Sequence, residues 1–122
     1  MPGLTDTEAK ATLDARFPTS GATDHVGWST NGSSETTIFA RTPVGATGWQ
    51  AATTANPSVK ANANVLTSAA ASGAGTVTHF AIFSAASGGS QRTEWEPLNA
   101  SKTVASGDIL QFAVGALRVT LT

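Results

Sequence analysis

The stretch from Gly75 to Thr122 constrains the fold most, because β-branched and aromatic runs alternate there with glycine- and serine-rich turns. Thr76 to Ala85 places Val77, His79, Ala81 and Phe83 on one face of an extended segment and Thr78, Phe80 and Ile82 on the other. Bulk on both faces predicts a central strand. Ser87-Gly88-Gly89-Ser90 is a turn, Arg92 to Leu98 returns with Trp95, and Ser106-Gly107-Asp108 turns the chain into Ile109 to Val114. After Gly115, Leu117, Val119 and Leu121 alternate with Arg118, Thr120 and Thr122, which predicts a last strand with one buried face. Short strands at this turn spacing predict a mostly β fold, an antiparallel β-sandwich or small barrel.

The N-terminus follows a different period. Thr5-Asp6-Thr7-Glu8 reads as a capping box, so a helix should begin at Asp6. Ala9, Leu13 and Phe17 recur at four-residue spacing, and Pro18 stops the helix at or before Phe17. So short a helix must bury that stripe against its own β-domain or a neighbouring subunit. The expected organisation is a helical arm over residues 1–18 and a single β-domain over residues 19–122.

Between Thr19 and Ala74 the apolar runs are broken by Gly, Ser, Asn and Pro. His25 to Thr30 is a strand candidate, Asn31 to Ser34 a turn, and Thr36 to Arg41 the β-rich return. Thr47 to Thr53 and Asn64 to Ser68 are further candidates, separated by Asn56-Pro57 and an Ala/Asn-rich stretch that reads as loop.

Composition excludes several function classes. Seven basic and eight acidic residues are scattered along the chain, so no phosphate-binding cluster forms in sequence and nucleic-acid binding is not expected. The absence of cysteine excludes disulfides, thiolate zinc sites and cysteine nucleophiles. No apolar run reaches membrane-spanning length, and Thr5 to Arg16 is charged where a signal peptide would be apolar, so cytoplasmic synthesis is expected. Charged residues make up only 12% of the chain, which suits a protein held in an assembly.

Candidate chemistry is sparse. Asp24-His25 is a sequential pair whose side chains leave a strand on opposite faces, which is not a triad contact, and His79 reads as a packed strand residue. Glu94, Glu96 and Asp108 supply oxygens that a calcium ion would accept, yet two carboxylates flanking Trp95 read more simply as a solvated face. No catalytic motif appears, and neither an enzyme nor a cofactor is expected. Trp28 and Trp95 read as core, whereas Trp49, beside Gly45 to Gly48, is the indole expected to be exposed for sugar stacking or a protein contact.

Gly75-Thr-Val-Thr-His-Phe-Ala-Ile-Phe-Ser-Ala-Ala-Ser-Gly-Gly89, Ser101-Lys-Thr-Val-Ala-Ser-Gly-Asp108 and Phe112-Ala-Val-Gly-Ala-Leu-Arg-Val-Thr-Leu121 together resemble a family of small virion proteins of tailed bacteriophages. Its members are described as head decoration, minor capsid or tail-fibre-like proteins. The resemblance implies a short N-terminal helix joined to a compact β-domain. It also implies an accessory structural role, expected first as a cement protein on the capsid surface, bound to the assembled major capsid protein and self-associated as a trimer or another small cyclic oligomer. The alternatives are a minor tail or tail-fibre-associated protein, or a carbohydrate-binding β-sandwich module. Leu4, Ala9, Leu13, Phe17 and Trp49 are the expected interface residues.

Overall fold

The computed structural model describes residues 5–55 and 57–121. In chain order its elements are α1 (Asp6–Arg16), β1 (His25–Ser29), β2 (Thr42–Pro43), β3 (Ser58–Ala61), β4 (Leu66–Thr67), β5 (Gly75–Phe83), β6 (Glu96–Val104), β7 (Gln111–Phe112) and β8 (Arg118–Leu121). The fold is mostly antiparallel β with one short N-terminal helix, as the sequence predicts. The chain gathers into two compact units, and the boundary drawn after residue 18 falls inside the first.

The first unit comprises residues up to 22, 44–66 and 112 onward. Helix α1 begins where the capping box places it: Thr5 Oγ1 accepts the Glu8 N–H at 3.2 Å. It ends at Phe17, whose N–H donates to Leu13 O before Pro18 interrupts the pattern. The helix packs on β3, which pairs antiparallel with β8 in the register Ser58↔Leu121 and Lys60↔Val119.

Strand β3 lies in the Ala/Asn-rich stretch that reads as loop in the sequence. It escapes the usual reading because its pattern is inverted: Ser58 and Lys60 are buried, while Val59 and Ala61 are partly exposed. Beyond it, Asn62 is buried and its amide is used at both ends. Nδ2 donates to Asn64 O at 2.8 Å and Ala113 O at 2.9 Å, and Oδ1 accepts the Leu117 N–H at 3.0 Å. The first of these bonds is local, and the other two tie the chain after β3 to the segment before β8.

The second unit comprises residues 23–43 and 67–111. Its frame is a four-stranded antiparallel sheet in the order β2-β1-β5-β6. Strand β5 is internal, as its two bulky faces predict, and Val77, Ala81 and Ile82 are fully buried. The turn after β1 has Gly32 at φ +76, and a Cβ there would stand 2.9 Å from the His79 ring, so glycine is needed for both backbone and space.

Several strand expectations shift: Thr47 to Thr53 keeps only an isolated bridge from Trp49 to Asn62, and Asn64 to Ser68 is strand only at β4. Thr36 to Arg41 is not a strand; the pairing with β1 comes later, from β2, in the register Val26↔Thr42. Thr36 N–H does donate to Trp28 O, but Ile38 O is then taken by Ser72 N–H and Phe39 turns onto Trp28, so the ladder is broken. Arg92 to Leu98 becomes strand only from Glu96, and the strand runs on to Val104. Ile109 to Val114 is strand only at β7, paired with β4.

Candidate functional site

The expected interface stripe of the helix is buried within the chain. Ala9, Leu13 and Phe17 are 2%, 4% and 5% exposed, and Leu4 lies outside the described residues. Trp49 was the indole expected at the surface, and that expectation is corrected: it is 2% exposed. Its ring packs 5.3 Å from Phe17, and its backbone bridges to Asn62. The cause lies one residue earlier. A Cβ at Gly48 would fall 1.9 Å from Val44 O, so glycine permits a backbone approach that folds Trp49 inward instead of presenting it.

Below this packing sits a charged cluster that the sequence does not reveal. Lys60, with no exposed surface, donates to Asp14 Oδ1 at 2.7 Å; Lys10 donates to Oδ2 at 2.7 Å, and the Ala52 N–H donates to Oδ1 at 2.9 Å. Burial pushes the Asp14 carboxyl up, but the hydrogen bonds from Lys10, Lys60 and Ala52 and the Lys60 charge together hold it well below the usual carboxylate range. A buried ammonium is tolerated because this carboxylate stays ionised beside it. The four-residue spacing of Lys10 and Asp14 is legible in sequence; the third partner, 46 residues away, is not.

In the second unit, Arg41 is held on every side. Its Nε and second terminal nitrogen donate to the two oxygens of Glu35 at 2.9 and 3.0 Å, and the other terminal nitrogen donates to Ala85 O and Gly88 O at 2.9 and 2.7 Å. The guanidinium lies 3.8 Å from the Phe83 ring centroid, and Phe83 meets Trp95 edge-on at 5.7 Å. Trp28 is core, as expected, but Trp95 is only half-buried. Of the three indoles, the accessible one is therefore Trp95.

The titratable candidates are spread into local roles. Asp24 is buried and pairs with Arg92 at 3.1 Å, while His25 Nδ1 lies 2.8 Å from Thr23 O, so the sequential Asp-His pair does not act as one. His79 Nδ1 lies 2.7 Å from Thr78 Oγ1. Asp108 accepts the Ala105 N–H within its turn, and among the described residues no group of three or more His, Asp or Glu is placed to hold a metal ion. Among those residues, too, no helix is long and apolar enough to cross a membrane.

The comparison with known families gives the class: the sequence matches a family of tailed-phage virion proteins over residues 6–120. That family is described as Podophage GP4 fiber I protein gp80, and the chain belongs to it. No curated protein matches the chain. The protein is thus an accessory structural component of a phage virion.

Proposed function

We propose that this chain serves in the fibre apparatus of its phage, as a non-enzymatic building block, and not as a cement protein on the capsid lattice. The observation that carries the reading is the match to a family described as a fiber protein, which covers nearly the whole chain. The structure is compatible with a part that must persist rather than turn over. Buried polar side chains such as Lys60 and Asn62 are spent on cross-links within the chain, and the low charged fraction suits association with other virion subunits. In this reading its partners are neighbouring fibre or tail subunits, with self-association into a small cyclic oligomer.

Location and copy number test the proposal. Immunogold labelling of purified virions, with quantitative mass spectrometry of subunit ratios, should place a few copies on the fibres or tail. Label spread over the head, with copies in proportion to the major capsid protein, would establish the decoration role instead.

A further inference from the structure

Trp28 and Trp49 are sealed inside the chain, and Trp95 is not. Its ring is nevertheless held at a set angle. Phe83 meets it edge-on, Arg41 lies over Phe83, and Arg41 is fixed by Glu35 and by the carbonyls of Ala85 and Gly88. An indole ordered before its ligand arrives has little conformational freedom left to lose on binding. The Trp95 N–H makes no hydrogen bond among the described residues, whereas Trp28 Nε1 donates to Thr42 Oγ1. One donor is therefore available beside an accessible ring.

Trp95 leads directly into β6, the outer strand of the four-stranded sheet, whose free edge offers backbone donors and acceptors. Addition of a peptide strand to that edge is obstructed. Pro97 has no N–H, and the ladder jumps from Val77↔Lys102 to His79↔Pro97, so residues 98–101 form a bulge. Among the described residues of this unit, the large apolar side chain that is well exposed is Ile109, and it neighbours Trp95 neither in the chain nor across the β5–β6 ladder.

A rigid lone indole with a free N–H, next to an interrupted polar edge, suits a polyhydroxylated ligand. The ring face takes the C–H groups of a pyranose, and the N–H and backbone groups take its hydroxyls. Glu94 and Glu96, exposed on either side of Trp95 in the chain, add negative charge that repels an acidic sugar. We propose that Trp95 is the stacking residue of a saccharide-binding subsite at the β6 edge, selective for neutral over acidic sugars. The inference is independent of where on the particle the protein sits.

The test follows the three indole N–H resonances of the ¹⁵N-labelled full chain during titration with lactose, maltose, diacetylchitobiose and, as the acidic probe, sialyllactose. At least one neutral disaccharide should shift the Trp95 signal and leave those of Trp28 and Trp49 in place, and sialyllactose should shift it less. Trp95→Ala should weaken binding about tenfold or more, and Trp95→Phe by less. Should Trp95→Ala fail to fold, the wild-type indole signals decide alone. No Trp95 shift with any probe at roughly 50 mM overturns the proposal. So does a Trp95 signal that moves only when another virion protein is added. Either result leaves the copy-number test of the fibre assignment untouched.

Discussion

The helix-containing unit and the sheet unit solve the same problem with different materials. In the sheet unit, β1 and β5 pair over five residues in the interior of the sheet, and the strands themselves bury Val26, Trp28, Val77 and Ile82. The helix unit pairs β3 with β8 over four residues, and the other edge of β3 takes backbone bonds from the Gln50 N–H to Ala61 O and from the Thr53 N–H to Val59 O, in a segment that forms no regular strand. Side chains reinforce this pairing: the Asp14–Lys60 pair, the Asn62 amide clamp and the Phe17–Trp49 contact. Both units add polar contacts to their packing: Arg41–Glu35 and Asp24–Arg92 accompany the longer ladder, and Asp14–Lys60 and the Asn62 amide accompany the shorter one.

The largest expected effects come from removing the central aromatic of each unit. Trp28→Ala and Trp49→Ala should each cost about 3–5 kcal/mol, read as a fall in the midpoint of urea unfolding. Hydrogen exchange then sharpens the comparison. Trp49→Ala should raise exchange most at Leu13, Lys60 and Asn62, and Trp28→Ala most at Val77 and Ala81; a uniform rise in both variants would show that the two units unfold together.

Next in size is the charged clamp. Asp14→Asn leaves the buried Lys60 ammonium without its ionised partner and should cost about 3 kcal/mol. The sign of the pH dependence follows from the lowered carboxyl. The stabilisation is complete above the unfolded-state value and is lost as acid protonates Asp14, so wild-type stability should fall from about pH 5 toward pH 2. Denaturant midpoints across that range should show a shallower acid slope for Asp14→Asn.

Arg41→Lys tests the sheet unit's own polar device. Losing the two-pronged bond to Glu35 and the stacking on Phe83 should cost about 1–2 kcal/mol, with increased mobility of the Trp95 ring in near-ultraviolet dichroism. The smallest effect is expected at the helix cap, where Thr5→Ala should lower stability by about 1 kcal/mol and raise exchange in the first turn of α1 alone.

What could be read from the sequence was whatever is written locally. Thr5, Glu8 and Pro18 set the ends of the helix, and the two-sided bulk of residues 76–83 marked β5 as internal, because capping and side-chain alternation act between residues a few positions apart. The turn at Gly32 and the burial of Trp28 belong to the same kind of signal. Strand β3 was hidden because its inward residues are Ser58 and Lys60, and an inward lysine makes sense only once Asp14, far away in the chain, is brought to it. Trp49 and Trp95 exchanged their expected environments for a related reason. The turn signal beside Trp49 conceals a close backbone approach at Gly48, and the site of Trp95 depends on Phe83 and Arg41, which only the folded chain assembles. The sequence by itself therefore determined the β-rich class, the helix and the virion family. The tertiary structure alone decided which charges are buried and which indole meets solvent, since burial is a property of long-range packing.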